Sequence, residues 1–198
     1  NAREHGSEIA LREKDLGLWK LVTWEQYHTR ARDFALGLIE LGLGKGDVVG
    51  IIGDNRPDWV AAEIAAHAIG AMSLGLYRDV LEEEAAYLLS YGEAKVVFAE
   101  DEEQVDKLLG LGERAQGVRH IIYSDPRGMR KYDDPRLMTS DRLAELGRAR
   151  AAREPDLYDR LVDATGENDV AILCTTSGTT ANPKLAMLSG GAVLRHCA

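Results

Sequence analysis

Residues 48–77, VVGIIGDNRPDWVAAEIAAHAIGAMSLGLY, decide the fold class of this chain. The first five, Val48–Ile52, are apolar or glycine, which predicts a strand buried on both faces of a sheet. After a polar turn, Pro57 suits the first turn of a helix that we expect to reach about Gly70. A second strand is predicted at 72–77. This order of strand, helix and strand indicates a parallel pair with a crossover helix.

The same alternation continues towards the C-terminus. A helix at 81–91 opens with three glutamates that complement the helix dipole, and a strand is predicted at 95–99. Asp101 caps a further helix to about Leu111, and another strand is predicted at 118–123. Alternating elements with continuous apolar strands predict an α/β fold, in which helices flank both faces of a largely parallel sheet.

Towards the N-terminus, two short apolar segments at 9–12 and 19–22 flank a turn and predict a β-hairpin. Thr23 and Gln26 then have the spacing of a capping box, which predicts the start of a helix ended by Gly42. Its apolar residues recur at three- and four-residue spacing, as in a core-facing helix, and they are Trp24, Tyr27, Ala31, Phe34, Leu38 and Leu41.

Segment 124–166 breaks this pattern. It holds three of the five prolines and many charged residues. We predict a surface excursion with one or two helices, inserted within a single domain that spans 1–198.

Composition narrows the function classes. A net charge of −9 argues against nucleic acid as a partner. It does not argue against a nucleotide ligand, because binding a nucleotide requires only a few hydrogen-bond donors at the site. Cys174 and Cys197 form no CxxC pair, and we expect both to be reduced, which favours a cytoplasmic location. No apolar run approaches the ~18 residues of a transmembrane segment. Contact with a membrane surface, through parts outside the chain, is left open.

One loop carries candidate chemistry. Residues 170–174 have a buried-strand pattern, and residues 175–184 follow as TTSGTTANPK. Hydroxyl residues and glycine disfavour a helix here and suit a loop whose N–H groups form an anion-binding nest. Lys184 adds a charge that can reach a polyphosphate. The spacing is not the Walker pattern, so the residues alone leave open an exposed turn with a solvated lysine.

The string of residues 176–180, followed by Asn182, Pro183 and Lys184, resembles the phosphate-loop signature of the adenylate-forming superfamily. That superfamily includes AMP-forming acyl-CoA synthetases, firefly-type luciferases and peptide-synthetase adenylation domains. The resemblance extends over essentially the whole chain. Segments 55–59, 76–80 and 94–98 are similar to long-chain fatty acid–CoA ligases, which favours that branch. The chain departs from the family pattern at three positions, where Ala181 and Leu185 replace glycine and Gly190 replaces histidine.

The resemblance implies a two-step reaction. A fatty acid and ATP give acyl-adenylate and pyrophosphate, and coenzyme A then takes the acyl group and releases AMP. By the same resemblance, Ser177, Gly178, Thr179 and Thr180 hold the β- and γ-phosphates. Lys184 offsets their charge, and Thr176 approaches the phosphates and Mg²⁺.

The family's adenine, ribose and catalytic-lysine elements lie further along a longer chain. We therefore expect residues 1–198 to be a partial N-terminal domain, truncated after the phosphate loop and inactive alone. Three alternatives stay open: a stand-alone nucleotide-binding module without catalysis, a structural or partner-binding domain, and a fatty-acyl-AMP ligase that serves a carrier protein. A homodimer is also left open.

Other polar residues receive weaker interpretations. His28, His67 and His120 lack metal-ligand spacing and are interpreted as structural. Asp54, Asn55 and Arg56 follow a strand, where α/β sheets often bind ligands, although such turns also cap helices.

Overall fold

The computed structural model describes residues 1–176 and 183–197. The strands are β1 (Ile9–Asp15), β2 (Leu18–Thr23), β3 (Val48–Ile52), β4 (Met72–Leu76), β5 (Ala94–Ala99), β6 (His120–Tyr123), β7 (Leu137–Thr139), β8 (Val170–Thr176) and β9 (Lys184–Ser189). The helices are α1 (Trp24–Glu40), α2 (Pro57–Ala68), α3 (Glu82–Tyr91), α4 (Glu102–Gly110), α5 (Ser140–Arg153), α6 (Leu157–Asp163) and α7 (Gly190–Cys197).

Two sheets organise these described ranges. Strands β1 and β2 form an antiparallel hairpin, and the other seven form one sheet in the order β7-β6-β5-β3-β4-β8-β9. The strands from β7 to β8 in that order are parallel, whereas β9 is antiparallel to β8. The predicted α/β class, the largely parallel sheet and the N-terminal hairpin are confirmed.

Local sequence signals fix the ends of α1 as predicted. The Thr23 hydroxyl accepts from the backbone N–H of Gln26 at 3.3 Å, and the Gln26 side chain accepts from the N–H of Thr23 at 2.9 Å. This is a complete capping box. Gly42, just beyond the helix, has a φ of 80°, which glycine adopts without steric cost.

The sheet is buried on both faces, as β3 shows. Val49 and Ile51 belong to a core that includes residues of α1, α2 and α5. Val48 and Ile52 point the other way, into a core that includes residues of α3 and α4. Burying each such side chain contributes about 1.5–3 kcal/mol to stability, so the all-apolar strand anchors both layers.

Segment 124–166 is integrated into the fold, which corrects the prediction of a surface excursion. It supplies β7, which extends the sheet beside β6, and α5, which packs along α1. Leu143 and Ala144 of α5 are fully buried. The helix contacts α1 partly through small residues and carries many charges on its outer side, so its apolar periodicity is weak in the sequence.

Arg30 ties three helices together. Its guanidinium donates two hydrogen bonds to Asp58 on α2, at 3.0 and 2.8 Å. It also donates to the Ser140 hydroxyl at 3.0 Å and to Asp141 at 2.9 Å, both on α5. These partners hold α1, α2 and α5 in register on one face of the sheet.

The last part of the described chain also differs from expectation. The predicted buried strand 170–174 lies within β8, but of those five residues only Leu173 is buried. The segment after the loop begins with β9, which the sequence did not predict, before α7 starts. Strand β9 is half exposed and lies at the end of the sheet order, so β8 and β9 receive less cover than β3.

Candidate functional site

The carboxyl ends of β3, β4 and β8 open onto one cleft of about 650 Å³. After β4 the chain crosses to β5 on the far side of β3, whereas after β8 it continues outwards to β9. Adjacent strands whose connections diverge in this way leave a crevice at their carboxyl ends, where open α/β sheets bind ligands. The lining includes Gly53, Asp54, Asn55, Trp59, Glu63, Tyr77, Arg78, Asp79, Cys174 and Thr175.

Helix α2 supplies one wall of this cleft through Trp59 and Glu63. The two residues are four apart and therefore lie on the same face of the helix. A Cβ at Gly75 on β4 would lie 3.4 Å from the Trp59 ring, so the glycine leaves room for the indole. Trp59 also packs against the core.

The rim of the cleft is an ion-pair network centred on Arg78. Its guanidinium lies 3.0 Å from Asp54, 3.2 Å from Glu103 and 3.6 Å from Asp101. Hydrogen bonding to Glu103, followed by the nearby Asp101 and Asp54 charges, raises the pKa of Arg78. Three carboxylates around one cation leave this rim acidic, which disfavours a polyphosphate at the rim itself.

A second pair network fixes the turn after β3. Arg56 donates to Glu100 at 2.9 Å and to Glu13 of the hairpin at 3.2 Å. Glu100 also accepts from the backbone N–H of Asp54 at 2.6 Å. The hydrogen bond to Glu100 raises the pKa of Arg56. Glu100, which directly follows β5, and Glu13 on β1 thus hold this turn, and Asp54 and Asn55 form an edge of the cleft.

Below the cleft, a half-buried polar cluster surrounds the buried Ser73. The Ser73 hydroxyl on β4 is 3.2 Å from His67 Nε2 and 3.1 Å from Glu63 Oε1, and Glu63 reaches the cleft wall. A neutral His67 can donate to Ser73, which then donates to Glu63. Burial is the main cause of the lowered pKa of His67, although the Glu63 charge opposes it. Ser73 is 1% exposed, which excludes it as a nucleophile towards a ligand in the cleft.

The phosphate-loop residues predicted from the sequence divide into two groups. Thr176 and Lys184 pair across the end of the β8–β9 hairpin, where the Thr176 hydroxyl donates to the Lys184 carbonyl at 3.3 Å. The Lys184 side chain is exposed. Ser177, Gly178, Thr179 and Thr180 lie outside the described residues. The structure therefore brings together the two flanking residues at the same end of the sheet as the cleft.

Two further observations bear on ligands and membranes. In residues 1–176 and 183–197, no group of three or more His, Cys, Asp and Glu side chains is arranged to hold a metal ion. Over the same ranges, no helix combines the length and apolarity needed to cross a bilayer.

Sequence reasoning missed most of the cleft wall. The sequence places residues 54–56 at a strand end, but it does not predict that Glu63, Arg78, Cys174 and Thr175 share one site with them. The signal that could have found these residues is their position near the carboxyl ends of strands, because the carboxyl ends of neighbouring parallel strands meet at one edge of a sheet. Using it requires the strand order, and the sequence does not show that β8 lies beside β4.

Comparison with known proteins gives a consistent pattern. A family model described as "AMP-binding enzyme" matches residues 1–198. The chain is 31% identical over 188 residues to the long-chain-fatty-acid–CoA ligase ACSBG2 of Xenopus laevis, with 94% of this chain and 24% of that protein covered. It is 28% identical over 187 residues to ACSBG1 of Rattus norvegicus, and the match covers 94% of this chain and 25% of that protein. The chain spans about a quarter of the length of these curated relatives.

Solved structures share the fold at lower identity. A putative long-chain-fatty-acid CoA ligase from Rhodopseudomonas palustris superposes with a TM-score of 0.75 at 21% identity, covering 98% of this chain and 44% of that one. A luciferase-like enzyme from the mealworm Zophobas morio superposes with a TM-score of 0.74 at 22% identity, and the match covers 96% of this chain and 40% of that one. These likenesses establish a common architecture.

Proposed function

The chain belongs to the AMP-binding enzyme family, and from that premise we propose that it is part of a long-chain fatty acid–CoA ligase and carries the ATP-phosphate loop. The proposal treats residues 1–198 as part of the ligase's N-terminal domain. The single observation that carries it is the run of residues 175–184, which joins β8 to β9 and combines hydroxyls, glycine and lysine.

The charge distribution supports a phosphate role for this run rather than for the cleft rim. The Arg78 cation is shared among Asp54, Asp101 and Glu103. The Lys184 side chain is exposed at the end of the hairpin and adjoins the hydroxyl-rich run. A polyphosphate is therefore better stabilised beside Lys184 than beside Arg78.

The proposed reaction has two balanced steps. A carboxylate oxygen of the fatty acid attacks the α-phosphorus of ATP, the bond to the bridging oxygen breaks, and pyrophosphate leaves. The coenzyme A sulfur then attacks the acyl carbon, its proton passes to solvent, and AMP leaves. Ser177, Gly178, Thr179 and Thr180 bind the β- and γ-phosphates, and Lys184 neutralises charge as pyrophosphate departs.

In the proposed reaction, Mg²⁺ would be bound mainly by the phosphate oxygens of ATP. Mg²⁺ usually keeps several waters and takes few protein ligands beside phosphate oxygens. The Thr176 hydroxyl, which donates to the Lys184 carbonyl, retains lone pairs that can accept a bond from a magnesium-bound water or ligate the ion.

We place the ligase in the cytoplasm. Cys174 is a free, exposed thiol, and reduced thiols persist in reducing compartments. Both ATP and coenzyme A are substrates of the proposed reaction. A fatty-acyl-AMP ligase would transfer the acyl group to a carrier protein instead of coenzyme A. Identifying the acyl product therefore distinguishes the two enzymes.

The test begins with the protein as its source cell makes it. An antibody against this chain should detect a mass several times 21.7 kDa, and the purified protein should exchange pyrophosphate into ATP only when a long-chain fatty acid is present. A native mass of 21.7 kDa without exchange would instead favour a nucleotide-binding module. Acyl-CoA formation by residues 1–198 alone would contradict the expected inactivity of this part.

Substituting Lys184 tests the loop itself. In the native-length protein, Lys184→Ala should raise the KM for ATP about tenfold, because a hydrogen bond to a charged group contributes roughly 1.5–3 kcal/mol. Lys131→Ala removes another exposed lysine, distant in sequence from the loop, and should leave the exchange rate unchanged. Equal KM values for Lys184→Ala and the native protein would exclude the phosphate role of Lys184.

A further inference from the structure

The β1–β2 hairpin has two unlike faces. Pairing places Glu13 opposite Lys20 and Leu11 opposite Val22, so these four side chains share one face. That face is turned to the body of the domain, since Glu13 accepts a hydrogen bond from Arg56 on the turn after β3 at 3.2 Å. Leu11 and Val22 are half-buried there.

The opposite face combines cations with large apolar side chains. Arg12 pairs with Leu21, and Lys14 pairs with Trp19, so these four residues share the outer face. All four are exposed, with Trp19 64% and Leu21 52% accessible. Lys14 Nζ lies 6.0 Å from the centre of the Trp19 ring. None of the four carries a negative charge, although the chain as a whole has a net charge of −9.

The tip of the hairpin exposes two leucines. Leu16 and Gly17 form the turn with φ angles of 47° and 84°. A two-residue turn of this kind favours Asn-Gly, because both central residues need positive φ. Leucine is strained there, yet Leu16 is 87% and Leu18 is 73% exposed. The turn therefore presents apolar surface that gains no burial within the described part of the chain.

We propose that this outer face and the turn residue next to it, formed by Arg12, Lys14, Leu16, Trp19 and Leu21, bind the surface of an anionic lipid bilayer. Tryptophan and leucine side chains suit the boundary between headgroups and acyl chains. Arg12 and Lys14 are attracted to anionic headgroups that would repel the rest of this acidic chain. The charge difference therefore orients the molecule with its hairpin towards the membrane. This inference is independent of the proposed ligase reaction.

Vesicle flotation tests the surface with the whole chain. At about 150 mM salt, the chain should float with vesicles containing about 30% phosphatidylserine and stay unbound with pure phosphatidylcholine. Raising the salt to about 1 M should release it, because the Debye length falls to roughly 3 Å. On binding, the tryptophan emission should shift to shorter wavelength, and this shift should be lost in Trp19→Phe.

Two pairs of variants separate the hairpin from the rest of the surface. The double variant Arg12→Gln, Lys14→Gln should lower the affinity for vesicles about fivefold per cation removed. The double variant Arg130→Gln, Lys131→Gln makes the same change in charge away from the hairpin and should leave the affinity unchanged. Leu16→Asn should weaken binding several-fold while relieving the turn. Leu81→Asn is its control, because Leu81 is 73% exposed at the N-cap of α3, where asparagine is also favoured.

These variants keep the proposal falsifiable. Because Leu16→Asn improves the turn, lost binding cannot be assigned to misfolding when its unfolding midpoint equals or exceeds that of the native chain. Absence of binding to anionic vesicles would overturn the proposal, as would equal losses in the hairpin variants and their controls. A change of oligomeric state by light scattering in the hairpin variants would assign the face to a protein contact and would also overturn it.

Discussion

At the scale of single residues, the protonation of His67 links folding to pH. Its ring is packed below the cleft, with Nε2 3.2 Å from the Ser73 hydroxyl. Burial disfavours the charged imidazolium and lowers the pKa of His67 below its ordinary value of 6.5. The folded chain therefore binds a proton at His67 less readily than the unfolded chain.

This difference predicts a loss of stability in mild acid. Between the folded and the unfolded pKa of His67, the unfolded chain binds more protons, so the free energy of unfolding falls as pH drops below about 6.5. One proton gives a slope of at most about 1.4 kcal/mol per pH unit. Urea unfolding of the native chain and of His67→Gln, at intervals from neutral pH to about pH 5, should show a shallower slope in the variant.

His28 provides a graded comparison for that experiment. Burial also lowers the pKa of His28, but its side chain is exposed and contacts the Tyr158 ring by its edge. His28→Gln should therefore reduce the pH slope less than His67→Gln does. If His67→Gln kept the full native slope, the titration of another group would have to explain the acid sensitivity.

At the scale of secondary-structure elements, the contact between α1 and α5 depends on a close backbone approach. A Cβ added at Gly147 on α5 would lie 1.8 Å from the carbonyl oxygen of Asp33 on α1. On the same pair of helices, a Cβ at Gly37 would lie 2.4 Å from the carbonyl oxygen of Leu143. Backbone atoms cannot yield as a flexible side chain does, so these glycines set the distance between the helices.

Gly147→Ala should therefore separate α5 from α1. We expect a loss of about 1–3 kcal/mol in the free energy of unfolding, the usual cost of overpacking a core. Gly110→Ala is the matched control, because Gly110 is also helical and a Cβ there meets only the Glu82 side chain at 3.6 Å. That change should be neutral or stabilising by up to about 1 kcal/mol. Comparable losses in both variants would contradict the close-approach argument.

The same elements show what the sequence can and cannot predict. The start of α1 was predictable because Thr23 and Gln26 interact locally, and β3 because a run of apolar residues marks a buried strand. The sequence predicts a surface excursion where α5 lies because the contact of this helix with α1 is made partly by Ala144 and Gly147, which give little apolar signal. The cleft required knowledge that β8 joins β4, a long-range pairing without a local signature.

At the scale of the whole molecule, the two edges of the seven-stranded sheet differ. One edge strand, β7, has three residues, whereas the other, β9, has six residues with the sequence KLAMLS. Long apolar edge strands pair readily with other chains, and short ones do not. On β9, Met187 is 70% exposed. This edge is therefore the part of the described fold best suited to pairing with a second copy.

We accordingly predict concentration-dependent self-association of residues 1–198 through β9. Met187→Lys should lower the apparent dimer affinity by about tenfold or more, because two like charges would face each other across paired strands. Light scattering after size-exclusion chromatography measures this over a range of loading concentrations. Leu194→Lys makes the same chemical change at a 71% exposed position on α7, so it should leave β-strand pairing intact. A larger effect from Leu194→Lys would transfer the contact from the sheet edge to the face of α7, and a monomer at every concentration would exclude both.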